Sequence, residues 1–212
     1  MSSIPVVAVG TATSLPPVRL VLAEGDVFDM PNVYDPPSYS AAQAGNLETI
    51  PRFGHVGSPA VSGQAWFVYF NPQADITIAT LGASFADVAS ATPTLSRLGL
   101  YTASANDSLT LVARTANTTS LGSVTFSDVE LALATTGGYP ASYTLTKGTR
   151  YAIGYLGVAA TAASLRVAGV TNASLAPVLC RRITGQADLA TSYAVGTLTT
   201  HYDVPYFYAT GV

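Results

Sequence analysis

Beyond Gly63 the chain reads as a succession of short alternating segments. QAWFVYF (64–70) is a compact aromatic and β-branched run, stopped by Asn71-Pro72. DITIATLGA places Ile76, Ile78 and Thr80 on one face and Thr77, Ala79 and Leu81 on the other, as a strand requires. RLGLYTA puts Leu98 and Leu100 opposite Tyr101. SANDS is a turn, because Asn and Asp hydrogen-bond their own backbone and tolerate the left-handed region. SLTLVAR is the return strand, with Leu109 and Leu111 in phase. VTFSDVELALA reads as one extended strand carrying Val124 and Phe126, with a bulge near Asp128. TTGGYPAS is a loop punctuated by Gly137, Gly138 and Pro140. SYTLT leads into a tight Lys147-Gly148 turn, and TRYAIGYLGV sets Tyr151, Ile153 and Tyr155 against Ala152, Gly154 and Leu156. SLRVAGV, APVLCRRI, SYAVGTL and VPYFYATGV complete the series. No segment has a capped 3.6-residue period, and SAAQAGNLETI offers at most one or two helical turns. The pattern predicts an all-β, antiparallel, jelly-roll-like β-sandwich over residues 61–212.

Residues 1–60 have a different texture. Eight prolines fall there: Pro5, Pro16, Pro17, Pro31, Pro36, Pro37, Pro51 and Pro59. Proline fixes φ, removes a donor and holds the preceding residue extended, which excludes helices and central strands. The segment nevertheless carries Val18, Leu20, Val27, Phe28, Tyr34 and Phe53. It reads either as an extended proline-rich N-terminal arm laid on a neighbouring surface or as an irregular sub-domain with its own core. Within it, VRLVLAEGDVF can form one strand ended by Gly25-Asp26.

Composition sharpens this picture. Among 212 residues 49% are hydrophobic and only 10% charged. So little charge gives an isolated monomer little to keep it soluble, which predicts a surface covered by sister copies or partners. The net charge is −3, with Lys147 the only lysine and no basic cluster beyond Arg181-Arg182, so nucleic-acid binding is not expected. No apolar stretch approaches the roughly 18 residues a membrane helix needs. The start lacks a basic n-region, so no signal peptide is expected.

Candidate chemistry is sparse. Cys180 is alone, which excludes an intrachain disulfide and a two-cysteine metal site. Arg181 and Arg182 could lower its thiol pKa, but a lone Cys is more often a small buried hydrophobe. His55 and His201 are the only histidines, and no HExxH or GxSxG motif is present. A Ser-His-Asp arrangement can be drawn only around His201 and Asp203. Carboxylate pairs suited to glycoside hydrolysis are Asp26 with Asp29 and Asp128 with Glu130; the second pair shares a strand face and reads as solvated. These absences predict a non-enzymatic protein without cofactor or metal. Recognition remains: Tyr139 in the GGYP loop, and Tyr202, Asp203, Tyr206 and Tyr208 in HYDVPYFY, are candidate glycan contacts or subunit contacts.

RLGLYT…SLTLVARTANTT (97–119) and GGYPASYTLTKGTRYAIGYL (137–156) resemble a β-sandwich module of minor tail and tail-fibre proteins from tailed bacteriophages that infect actinobacteria. The similarity centres on Arg97–Ser123 and Thr135–Val158 and leaves out residues 1 to about 60 and the last 35 or so. It implies a virion structural protein at the tail, tail tip or fibre, made in the host cytoplasm and carried in the virion. The expected partners are its own copies, with a homotrimer or another symmetric oligomer in view, other virion proteins, and a host-surface glycan. Capsid decoration or a head fibre, and a free carbohydrate-binding module, are the alternatives.

Overall fold

The computed structural model describes residues 19–21, 27–29, 46–50, 54–169 and 177–212. The chain divides into two units, Met1–Ser38 and Tyr39–Val212. In the first, β1 (Arg19–Val21) and β2 (Val27–Asp29) pair antiparallel, with Leu20 opposite Phe28. In place of the single strand expected over VRLVLAEGDVF there are two short paired strands. The remainder of the expected proline-rich arm lies mostly outside the described residues.

The second unit is the expected all-β antiparallel sandwich. Its strands are β3 (Asn46–Glu48), β4 (Val56–Pro59), β5 (Gln64–Phe70), β6 (Ile76–Ser84), β7 (Ala91–Ala103), β8 (Leu109–Arg114), β9 (Asp128–Ala132), β10 (Tyr143–Leu145) and β11 (Tyr151–Thr161), followed by β12 (Ser164–Gly169), β13 (Cys180–Ile183), β14 (Ser192–Tyr193), β15 (Thr199–Thr200), β16 (Asp203–Pro205) and β17 (Phe207–Gly211). The only helical turn among the described residues is a 3-10 turn at Val195–Thr197. One sheet has the order β14-β8-β7-β11-β5-β13-β15; a second has β10-β6-β17-β3 with β9 also on β6; a third has β16-β12-β4. Residues 46–59 lie before the boundary placed near residue 60, yet they supply β3 and β4 to this sandwich. Of SAAQAGNLETI, considered for helical turns, residues 40–45 lie outside the described residues and Asn46–Glu48 form β3, with Leu47 buried opposite Ala209.

The inter-sheet core takes Trp66, Val68, Leu98, Leu100, Ile153 and Tyr155 from the seven-stranded sheet and Leu47, Ile78, Leu81 and Phe207 from the five-stranded one. The alternation read for β7 and β11 holds. That for β6 does not: Ile78 and Leu81 both face the core, and the pairing with β17 slips between Thr210 and Gly211. A bulge of this kind flips the side-chain phase downstream. β9 begins only at Asp128. Val124 and Phe126, expected within that strand, stand in the preceding loop, with Phe126 at φ +50°.

The seven-stranded sheet is buried on both faces. On its outer face Phe67, Tyr69, Tyr101, Leu109, Leu111 and Leu156 pack against Leu189, Tyr193 and Leu198 of the segment that follows β13. Phe67, Gly154 and Gly99 stand in one lateral row. The two glycines leave a floor without side chains, on which the Phe67 and Tyr101 rings meet edge-to-face, with centroids 5.3 Å apart. A Cβ on Gly154 would lie 2.9 Å from Phe67. Alanine normally stabilises a strand relative to glycine by roughly 0.5–1 kcal/mol. We expect Gly154→Ala to reverse that sign, costing about 1–3 kcal/mol through overpacking. Gly169→Ala, where nothing lies within 4 Å, should be neutral or stabilising in the same urea titration. Equal effects at the two sites would refute the packed floor.

Candidate functional site

The covering segment is held by hydroxyls and ion pairs. Ala190 has both backbone groups engaged: its N–H donates to Tyr193 Oη at 2.9 Å and its carbonyl accepts from Tyr101 Oη at 3.1 Å. Asp188 beside it takes Arg97 at 3.0 Å and Arg114 at 3.9 Å. Arg114 also lies over the Tyr139 ring, 4.9 Å from its centroid. At the other end of the sheet Asp107 takes Arg150 at 3.3 Å and Arg181 at 3.1 Å. Arg150 covers the Tyr69 ring and donates to the Val178 carbonyl at 2.6 Å, while Tyr69 Oη donates to the Asp107 carbonyl at 3.0 Å. Asp107 and Asp188 thus each sit between two arginines. Asp128 and Glu130 are engaged by hydroxyls instead.

The turn at 104–108 explains why Asp107 is available. Ser104 Oγ bonds Asn106 Oδ1 and receives the Ser108 N–H, and Asp107 sits at φ +66°, which aims its carboxylate back at β11 and β13. The residue read as a turn former is also the acceptor of an arginine pair. Its neighbourhood pattern alone carries no signal for that, because Arg150, just before β11, and Arg181 in β13 are both distant in sequence.

The histidine site is not a catalytic triad. His201 is buried edge-on to Trp66 at 4.9 Å, with Tyr202 stacked on it at 4.5 Å. Its Nδ1 accepts the Asp203 backbone N–H at 3.1 Å, whereas the Asp203 carboxylate receives the Ser58 hydroxyl directly at 2.7 Å. With the hydroxyl on the carboxylate, and Nδ1 used by a backbone amide, the imidazole is not placed between them. His55 packs on Tyr206 at 5.1 Å. Cys180 is fully buried, and burial pushes its thiol pKa up despite Arg182, which matches the small-hydrophobe reading. Among the described residues no three His, Cys, Asp or Glu side chains gather into a metal-sized group, and no helix is long and apolar enough to cross a membrane.

The five candidate contact residues do not form one platform. Tyr139 lies under Arg114, on the covered side of the seven-stranded sheet. Tyr202 is exposed on His201, and Asp203 belongs to the Ser58 pair. Tyr206 and Tyr208 do meet, with ring centroids 5.8 Å apart. Tyr208 lies across Gly82, where a Cβ would collide with its ring. Asp128 and Glu130 share the exposed face of β9 and are held by hydroxyls: Ser84 Oγ donates to Asp128 at 2.5 Å and Thr80 Oγ1 to Glu130 at 2.6 Å. Asp26 lies outside the described residues, and Asp29 is in β2. Gly82 was the missed residue; a glycine inside a strand signals a close approach from above. The sequence matches no protein-family model and no curated protein.

Two measurements test these clusters. Asn tolerates positive φ as Asp does, so Asp107→Asn removes the charge and leaves the turn in place. It should cost on the order of 2–3 kcal/mol, because it leaves two largely buried guanidiniums facing each other; urea denaturation reads the change, and a loss within 0.5 kcal/mol, about that of an ordinary surface substitution, would refute the pairing. Burial, aided by Arg182, holds the His201 imidazole below its ordinary value of 6.5. The unfolded chain therefore takes up the proton more readily. Stability should be intact above pH 6.5 and fall as the pH drops through the lower folded-state value, with a slope up to about 1.4 kcal/mol per pH unit. His201→Asn retains an acceptor for the Asp203 amide and should flatten that slope; a profile parallel to wild type counts against it.

Proposed function

We propose that this chain is a non-enzymatic structural protein of a tailed-bacteriophage virion, a minor tail, tail-tip or fibre subunit that assembles with its own copies and with other virion proteins. The observation that carries it is a group of exposed apolar side chains in one region of the sandwich. Phe126 is 67% exposed, Val124 61%, Val56 60% and Val88 39%. These residues belong to one region: the Phe126 N–H donates to the Ala86 carbonyl at 2.7 Å, Ala86 and Asp87 lie against Gly57, and the Val88 N–H donates to Ser164 Oγ at 2.8 Å. Phe126 is also held at positive φ, a strained conformation for an aromatic residue, of a kind that concentrates at contact and functional sites. In a chain with 10% charged residues such a patch suits a subunit interface. The tail assignment draws on the resemblance of residues 97–123 and 135–158, which here are mainly β7, β8, β10 and β11.

Sedimentation equilibrium of the purified full chain should give a closed symmetric oligomer, with a trimer the leading expectation. Phe126→Gly should shift it towards monomer. The same substitution removes backbone strain, so the melting temperature of the dissociated chain should hold or rise, by about 1 kcal/mol equivalent. A wild-type chain that stays monomeric at micromolar concentration overturns the assembly reading. Mass spectrometry of separated heads and tails decides the location, since recovery with heads would indicate capsid decoration.

A further inference from the structure

We propose that the notch around Arg114, at the margin of the seven-stranded sheet's outer layer, is a binding site for acidic saccharides, whose carboxylate is taken by Arg114, Arg97 and the Tyr139 hydroxyl. Arg97 in β7 and Arg114 in β8 are diagonal neighbours on the outer face, since Arg114 stands opposite Gly99. The loop over 134–140 forms one wall. Its Ala134 N–H donates to the Arg114 carbonyl at 2.8 Å. Gly137, at φ +82°, lies so close that a Cβ there would stand 3.0 Å from Arg114 Nη2. Asp188 forms the other wall, with its side chain 46% exposed.

The two arginine pairs of the molecule differ in how fully they are satisfied. Asp107 gives one oxygen to Arg150 and the other to Arg181, and those arginines spend further nitrogens on the Val178 carbonyl and on Thr200 Oγ1. Asp188 offers a single oxygen to both Arg97 and Arg114, while its other oxygen accepts the Leu189 N–H at 2.7 Å. Arg114 stands 3.9 Å away, beyond hydrogen-bond distance. Among the described residues its guanidinium has no hydrogen-bond acceptor, only that oxygen and the Tyr139 ring. The Nε atoms are sealed in both pairs, so the difference lies in the terminal nitrogens, which at Arg114 lie open at the margin. Tyr139 Oη is likewise unsealed and without a partner among the described residues.

A cation with unused donors calls for an acceptor, and the fork of a guanidinium matches a carboxylate. Two guanidiniums face one carboxylate here, so a single positive charge is left over, which a monoanion neutralises. A phosphate monoester would bring nearly two negative charges up against Asp188. Asp188 retains acceptor sites of its own. The notch thus offers donors to a carboxylate and, beside them, an acceptor to hydroxyls. A uronic or sialic acid carries both groups on one ring.

The inference does not rest on the virion reading, which oligomeric state and head or tail location test separately. The full chain is applied to an array of uronic and sialylated oligosaccharides, with neutral and phosphorylated sugars as the opposing sets, and the best carboxylated probe is followed by saturation-transfer NMR. Binding of a carboxylated glycan is expected, with loss of binding when its carboxylate is converted to the methyl ester. Arg114→Gln should weaken it at least about tenfold, as removal of a charged hydrogen bond does. The fold survives that change because Asp188 keeps Arg97. Tyr139→Phe, which removes only a solvent-reached hydroxyl, should weaken binding about threefold or more with unchanged melting temperature. Lys147→Gln, a charge lost elsewhere on the surface, should leave it within about twofold, since screening confines charge effects to short range. Absence of any carboxylated-glycan binding, equal affinity for the methyl ester, binding confined to neutral or phosphorylated sugars, or full affinity in both Arg114→Gln and Tyr139→Phe would each overturn the proposal.

Discussion

The constraint on which the rest depends is that the seven-stranded sheet is apolar on both faces. β5 and β11 alternate large side chains into both layers: Trp66 and Val68 enter the inter-sheet core, and Phe67 and Tyr69 leave it on the opposite side. The five-stranded sheet can cover only one of those faces. The other is covered by the largely irregular segment between β13 and β15, which has few ladder hydrogen bonds of its own to satisfy its backbone. Tyrosine hydroxyls supply part of what is missing. Tyr101 and Tyr193 therefore do two jobs, filling the outer layer with their rings and bonding Ala190 with their tips.

That cover also determines where the few charges go. Arg97, Arg114, Arg150 and Arg181 rise from the seven-stranded sheet, and each meets Asp107 or Asp188 at the margin of the outer layer. Isolated surface pairs contribute little. Here each carboxylate serves two guanidiniums, and two of the guanidiniums lie on aromatic rings as well, Arg114 on Tyr139 and Arg150 on Tyr69. The paired charges thus seal the edges of an apolar layer and exclude water from it. The opposite sheet carries no cation in its strands, and its Asp128 and Glu130 carboxylates are bonded to hydroxyls instead.

Period-two patterning was enough to locate most strands, because strands buried on one or both faces must alternate or run continuously apolar, and β5, β7, β8 and β11 do so. It failed where the phase breaks. The slip after Ile78 is invisible in an apolar-rich stretch such as ITIATLGA, since either face looks buriable. Val124 and Phe126 read as strand because β-branched and aromatic residues favour strands. They stand in a loop because the chain there bonds sideways to Ala86 and Phe85 rather than continuing a ladder. The pairings that define the arginine clusters are equally illegible: Asp107 and Arg181 lie 74 residues apart, and no local rule connects them. HYDVPYFY was legible as an aromatic concentration, but its residues divide between two sheets, so only Tyr206 and Tyr208 come together.

One local device appears on both sides of the molecule with different consequences. Gly99 and Gly154 form a floor under Phe67 and Tyr101, and Gly82 forms one under Tyr208. In each case the absence of a Cβ lets an aromatic ring rest directly on the sheet. Phe67 and Tyr101 are then closed over by Leu189 and Tyr193 and become core. Tyr208 stays half-buried, and its row ends in the exposed Glu130 rather than in an apolar neighbour. The difference lies in the connections and not in the strands. The long excursion between β13 and β15 has residues to spare for a cover, whereas β16 runs through Tyr206 straight into β17. A ring laid on glycine is therefore full core where the chain goes on to cover it, as the segment after β13 covers Phe67 and Tyr101.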